Sequence, residues 1–191
     1  MIIGITGKSN SGKNVISEIL KSMNYIVWDL DIMSKEIREN KNKEIKTIFR
    51  TTNPKEIAKI VFSDTLKLKE LENIIYPELY DKVKKYKKYE NKDLIINGAL
   101  LYRAELDKLC DYIIYVDASL DTRIARGCKR DKISTNDFLL REKMQYDIDY
   151  RDVKYNCPVY VIENEDEENG KINIQKLKNK IRIIINSAIP I

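Results

Sequence analysis

The sequence predicts an α/β fold in which helices cover both faces of a five-stranded parallel sheet. Three observations predict it. Five short runs of consecutive apolar, often β-branched residues recur along the chain, the mark of strands buried on both faces. Segments with helical apolar spacing separate them, and that alternation builds a parallel sheet. The first run also opens into a glycine-containing loop with a helix directly behind it.

In chain order, strands are expected at 2–6, 26–30, 94–97, 112–116 and 159–163. Helices are expected at about 12–23, 33–39, 66–90, 102–109, 120–129, 135–146 and 172–187. The long central helix should break or kink at Pro77, because a proline inside a helix loses a hydrogen bond and crowds the preceding turn. Ser134 followed by Asp137 reads as a capping-box start for the sixth of these helices. The acidic stretch at 163–168, ending in Asn169-Gly170, reads as a solvated turn. No internal repeat or strong linker is visible, so the 191 residues are taken as one domain.

Composition bounds the chemistry. Hydrophobic residues make up 43% and charged residues 34%, enough apolar material for a real core. The net charge of +5 suits an anionic ligand such as a nucleotide, and equally a lysine-rich protein surface. No basic stripe interleaved with aromatics marks a nucleic-acid partner. Cys110, Cys128 and Cys157 are odd in number and lack a CxxC spacing, which argues against a disulfide framework or a zinc site and for a reducing cytoplasm. No basic, apolar leader opens the sequence, and no run approaches a membrane span, so no membrane association is expected. The chain has no histidine. Any general base is therefore a carboxylate, Lys, Tyr or Cys, and Ser–His and Cys–His hydrolase mechanisms are excluded.

The loop at 7–14 reads GKSNSGKN. Strand, loop and helix in that order are the context that a phosphate-binding loop, or P-loop, requires. Glycines allow backbone N–H groups to turn inward around a phosphate, and the helix N-terminus adds partial positive charge. Lys13 would then reach the β- and γ-phosphates as a mobile point charge. The bland alternative is a tight turn with a solvated lysine. One position departs from the motif: Asn14 stands where Ser or Thr would ligate Mg²⁺. An amide oxygen is a neutral hard ligand and can take that place, so Asn14 is the candidate metal ligand.

Asp29 and Asp31 lie where the second strand ends, the side of a parallel sheet on which ligands bind. A carboxylate here can accept the proton of an attacking hydroxyl or hold hydrated Mg²⁺, or it can cap the helix that follows. Arg123, Arg126, Lys129 and Arg130 follow the fourth strand, and Arg141 lies in the next helix. Such cations stabilise charge on a migrating phosphoryl group, or else form a solvent-facing basic helix.

Several segments, in order, resemble the dephospho-coenzyme A kinases from residue 1 to about residue 164. IIGITGKSNSGKN resembles their opening strand and loop, and IVWDLD their Asp-x-Asp strand end. VFSDTLKLKELENIIYPELYDKV is similar to a segment reading VF…L…LE.I.HP. LIINGALLY sits where the family runs into Pro-Leu-Leu-Phe. YIIYVDASLDTRIARGCKRDKIST with REKMQ resembles the lid and the Arg-x-x-x-Gln helix, and VYVIEN the fifth strand with its terminal asparagine.

The resemblance implies a three-layer P-loop kinase fold with a helical acceptor-binding region at about 32–90 and a lid at about 126–150. It implies ATP and Mg²⁺ as cofactors and phosphorylation of the ribose 3′-hydroxyl of dephospho-CoA. Asn10, Ser11, Gly12, Lys13, Asn14 and Val15 would hold the ATP phosphates, Asp31 would be the general base, Lys13 and Arg130 catalytic cations, and Arg141 a triphosphate contact. Tyr76, Lys55 and Asp29 would face the acceptor, in a monomer or weak homo-oligomer. The chain departs from the family pattern at Asn14, at Tyr76 (for histidine), at Pro54 (for an arginine), at Ala99 (for proline) and at Val159 (for an acid). A P-loop kinase with a nucleoside or nucleotide acceptor is the alternative activity. A nucleotide-binding homologue with impaired catalysis is the alternative of another class.

Overall fold

The computed structural model describes the chain except for residues 144, 146, 147, 167–171 and 189–191. The described elements run β1 (Ile2–Thr6), α1 (Lys13–Ser22), β2 (Ile26–Asp29), α2 (Leu30–Asn40), α3 (Asn42–Phe49), α4 (Pro54–Ser63) and α5 (Thr65–Tyr89). They continue with β3 (Leu94–Asn97), β4 (Tyr112–Asp117), α6 (Leu120–Asp131), α7 (Thr135–Lys143), β5 (Val159–Glu163) and α8 (Ile174–Ala188). The strands form one parallel sheet in the order β2-β3-β1-β4-β5. The chain divides into two compact units, residues 1–28 with 91–191, and residues 29–90.

In the first unit the register brings strand ends together. Ile5 of β1 pairs with Asn97 of β3, and Thr6 with Tyr115 of β4. Alternate residues of each strand face opposite sides. Ile3, Ile5, Ile95 and Ile114 join Ile16 and Leu20 of α1 and Leu177 and Ile181 of α8 in one buried cluster. On the opposite side, Leu101 and Cys110 lie against Gly4 of β1. Full burial of side chains of this size contributes about 1.5–3 kcal/mol each.

The second unit is helical. Ile45, Phe49 and Ile57 form its buried cluster, with Leu71 and Ile74 packed on it from α5. Two of its helices, α3 and α4, fall outside the segments whose apolar spacing predicts helices, though within the helical region at about 32–90 that the resemblance implies. Asn53 begins α4 as an N-cap, its Oδ1 accepting from the Lys55 N–H at 2.9 Å, with Pro54 in the first turn. That is the arrangement a helix start favours.

Of the break or kink expected at Pro77, the break does not occur. The helix continues from Thr65 to Tyr89 through the proline. Ile75, Leu79 and Val83 are buried on either side of it at helical spacing, and this packing holds the helix together. The expected helix at 102–109 is not formed either. Glu105 takes a left-handed φ of 55°, and only a short 3-10 turn, Leu106–Lys108, follows. The turn presents the buried Asp107 carboxylate to Asn156, whose backbone N–H and Nδ2 donate to it at 3.0 and 2.6 Å. Leu30, expected as a strand residue, opens α2 instead. The capping serine is in place: the Asp137 N–H donates to Ser134 Oγ at 3.1 Å, while the Ser134 hydroxyl donates to Asp137 Oδ2.

Candidate active site

The site in the first unit is built on the turn from β1 into α1. Gly12 precedes α1 with φ 99°, a left-handed conformation that glycine adopts without penalty. A Cβ added there would lie 2.1 Å from Asn164 Nδ2, so the position is closed to larger residues. Asn10 also has a positive φ, 63°, uncommon outside glycine and typical of functional turns. The Lys13 ammonium folds back over the loop and donates to the carbonyls of Gly7 and Lys8 at 2.8 and 3.1 Å. It therefore sits at the loop's own mouth, where a phosphate's charge would be met.

Residues from the ends of other strands brace this loop. Asn164, just after β5, donates from Nδ2 to Ser11 O at 2.7 Å. Asn97, the last residue of β3, donates from Nδ2 to Asn14 Oδ1 at 3.1 Å. Arg126 of α6 donates to Asn10 O, Ser11 O and Asn164 O at 3.3, 3.2 and 2.8 Å, and pairs with Asp166 at 2.6 Å. Gln145 meets the loop from the far side of α7: the Ser9 N–H donates to its Oε1 at 2.8 Å and its Nε2 donates to Ser9 Oγ at 2.6 Å. Four buried polar atoms on this same rim have no partner among the described residues: Thr6 Oγ1, Ser11 Oγ, Asn97 Oδ1 and Asn164 Oδ1. Clustered unsatisfied groups mark a place arranged for something other than self-packing.

Beside the loop lies a cavity of about 630 Å³, lined by Lys8, Asp117, Ser119, Arg123, Glu142 and Arg151 among others. Its walls are ion-paired. Arg123, buried, donates to both oxygens of Glu142 at 2.5 and 2.8 Å. Lys8 of the loop lies 3.4 Å from Glu142 and 3.3 Å from Asp149. Arg151 bridges Asp149 and Asp117 at 2.7 and 3.6 Å. Burial pushes the Asp149 carboxyl up, but the Arg151 hydrogen bonds and charge, with Lys8, outweigh it and hold the group down at about 2. Cations from three segments thus reach the C-terminal edge of the sheet, where ligands of parallel sheets bind.

The chain's likeness to known proteins shows its family. Residues 1–169 match the family model for dephospho-CoA kinase. The chain belongs to the dephospho-CoA kinase family. A dephospho-CoA kinase of Thermus thermophilus is 32% identical over 152 residues, 76% of this chain and 75% of the relative. A crystal structure from Thermus thermophilus, TT1252, aligns with a TM-score of 0.81 and 26% identity over 100% of this chain and 98% of that one. A dephospho-CoA kinase from Campylobacter jejuni, at 19% identity, has the same fold, with a TM-score of 0.65 over 97% of this chain and 96% of that one. The fold is that of the P-loop kinases, the chain is a kinase of this family, and the family implies ATP use. Among the described residues no helix is long and apolar enough to cross a membrane.

Within this dephospho-CoA kinase fold, the arginines selected from the sequence separate into two groups. Arg126, noted there only as one of a basic cluster, contacts the loop. Arg130 and Arg141 meet instead at Asp131: Arg130 Nε donates to it at 2.7 Å, and Arg141 lies 3.6 Å away. The Arg130 hydrogen bond holds the Asp131 carboxyl below its ordinary range. The acidic stretch after β5 is not simply solvated, since Asp166 pairs with Arg126 and Glu165 accepts from Ser119 and Thr122. Asn169 and Gly170 lie outside the described residues. Asn97 was missed from the sequence, although its place at a strand's C-terminal end was a usable signal.

The second unit carries the other selected residues. Asp29 Oδ1 accepts the backbone N–H groups of Asp31 and Ile32 at 2.9 and 3.1 Å, so Asp29 caps α2. Asp31 is exposed in the first turn of that helix, and Lys55 is exposed in the first turn of α4. The Tyr76 hydroxyl donates to Glu72 Oε1 at 3.1 Å within α5.

A divalent cation is implied by the family's chemistry, and the residues present fit one. Asn14, an exposed residue at the start of α1, carries an amide oxygen that accepts from Asn97, and the Asn97 Oδ1 beside it is buried with no partner among the described residues. Both are the neutral oxygen donors that hard cations accept.

Proposed function

We propose that this chain transfers the γ-phosphoryl group of ATP to the ribose 3′-hydroxyl of dephospho-CoA, the last step of coenzyme A synthesis. The observation that carries the proposal is a braced phosphate loop, with Lys13 folded over it, in a chain that matches the dephospho-CoA kinase family over residues 1–169. The loop N–H groups of residues 10–15 and the α1 N-terminus bind the β- and γ-phosphates. Lys13 exchanges its contacts with Gly7 and Lys8 for phosphate oxygens. Arg126 holds the loop's shape, while Arg130 and Arg141 leave Asp131 to meet the migrating charge.

Asp31 accepts the proton of the ribose hydroxyl as it attacks. Asp29 supports it indirectly by fixing the first turn of α2, on which Asp31 stands. Tyr76 and Lys55 contribute to acceptor binding. Mg²⁺, held by Asn14 and the phosphates, would neutralise charge on the β- and γ-phosphoryl oxygens. With little covalent work for the protein to do, most of the acceleration comes from positioning and fixed charge. The protein acts as a monomer or weak homo-oligomer in the cytoplasm, on small molecules alone.

The experiment is an ATP-consumption assay with dephospho-CoA and, in parallel, a panel of nucleosides and nucleotides, each with and without Mg²⁺. Mg²⁺-dependent turnover on dephospho-CoA in preference to the panel is expected. Turnover only on a panel member would transfer the acceptor assignment. ATP binding with no turnover on any acceptor would make the chain a nucleotide-binding homologue.

A further inference from the structure

We infer that Asn97 positions Asn14 through an uncharged amide clasp, and that this clasp, with the nucleotide's phosphates, forms the divalent-cation site. The inference rests on the kinase reading for the nucleotide, but not on the identity of the acceptor.

Asn97 ends β3, in register with Ile5 of the neighbouring β1, one residue before Thr6 closes that strand. It is 4% exposed, and its Nδ2 reaches Asn14 Oδ1 at 3.1 Å. Asn14 stands beside Lys13 at the start of α1 and is exposed. The pair therefore links the buried end of a central strand to the outward side of the phosphate loop.

A purely structural role explains this poorly. Asn97 is almost fully buried, yet its own Oδ1 has no partner among the described residues. An apolar side chain there would avoid the desolvation of an unpaired carbonyl, which is the costly part of burying an amide. What the amide provides is orientation. Donating to Asn14 Oδ1 fixes the rotamer of an otherwise free surface side chain. An amide oxygen has two lone pairs, so Asn14 can accept from Asn97 with one and face a hard cation with the other. Partners of this kind orient metal ligands, and their loss weakens metal affinity.

The charge pattern determines how such a site behaves. P-loop sites usually pair a hydroxyl with a carboxylate at the cation; here both members of the pair are neutral amides. Among the described residues no group of three or more His, Cys, Asp or Glu could hold a metal ion. The clasp itself carries no charge, so on this reading the phosphates supply the negative charge at the cation. The protein alone should not retain the cation, and the nucleotide complex should.

The test is Mn²⁺ titration followed by electron paramagnetic resonance on the purified full chain, with and without ADP. It uses the wild type and the Asn97→Leu, Asn97→Asp and Asn14→Ala variants, with thermal unfolding to establish that each is folded. The wild type should bind Mn²⁺ only in the presence of ADP. Asn97→Leu and Asn14→Ala should each weaken Mn²⁺ binding to the ADP complex by about tenfold, and Asn97→Leu should do so with metal-free ADP affinity retained. Asn97→Asp, nearly the same shape, should tighten it by about tenfold and create measurable binding without ADP. Unchanged Mn²⁺ affinity in folded Asn97 variants, or tight Mn²⁺ binding by the wild type without ADP, would overturn the clasp. Neither result bears on the acceptor, which fails or stands on the phosphoryl-transfer assay alone.

Discussion

Gln145 grips Ser9 with both ends of its amide: Oε1 accepts the Ser9 backbone N–H at 2.8 Å while Nε2 donates to Ser9 Oγ at 2.6 Å. A side chain beyond α7 is thus tied to the phosphate loop itself. The same face of the loop carries Lys8, paired with Glu142 and Asp149. The segment at 142–149 and the loop are one network, so substitutions in that segment should affect nucleotide binding.

Replacing Gln145 by Glu keeps the size and adds a negative charge beside the phosphates. ATP binding should weaken by about tenfold or more, because a charge a few ångströms from a phosphate in a partly buried site costs more than 1 kcal/mol. Calorimetric titration with ATP measures this. Unchanged affinity would mean that Gln145 swings clear before the nucleotide binds.

Arg126 is a hub rather than a surface cation. Arg126→Ala removes donors from three backbone carbonyls and leaves Asp166 without its partner. The expected cost is about 2 kcal/mol of stability, together with weaker ATP binding. Urea unfolding of the nucleotide-free protein tests the first part. Arg130→Ala should differ sharply: its side chain is 64% exposed and pairs locally with Asp131, so stability should stay within about 0.5 kcal/mol of wild type while turnover falls.

These two arginines show what was legible in the sequence. Strand–loop–helix order, the glycine spacing and the runs of apolar residues placed the sheet, the phosphate loop and the arginine cluster. They did not distinguish Arg126 from Arg130, because both share one helix face and only the turn after β5 decides which meets the loop. Asn97 was equally hidden: LIIN reads as a strand, and nothing local links it to Asn14. The helices α3 and α4 were missed because charged and polar residues crowd 41–56, although Asn53-Pro54 was a proper helix start. Pro77 misled in the other direction, since its cost is a local rule that packing by Ile75, Leu79 and Val83 overrides.

Asp149 gives a pH dependence with a defined sign. Its folded value, about 2, lies below the unfolded value of about 3.9. Its contribution is therefore complete above about pH 4 and is lost as pH falls through about 2. Asp149→Asn should lower stability by about 1–2 kcal/mol at pH 7, with the gap closing between about pH 4 and 2. Parallel denaturation curves across that range check it. A gap that persists at pH 2 would assign the loss to packing instead of charge.

Asp31→Asn tests the proposed base. Turnover should fall by about a hundredfold or more, as for loss of a positioned general base, with ATP affinity nearly unchanged. Near-normal turnover would remove Asp31 from that role.

The measurement that tests the central claim most directly is identification of the product made from ATP and dephospho-CoA. The purified chain with Mg²⁺ and both substrates should yield ADP and a single new phosphomonoester, located on the ribose 3′-oxygen by phosphorus–proton coupling in NMR. Absence of product under conditions where a known dephospho-CoA kinase is active, or phosphate at any other oxygen, would contradict the account.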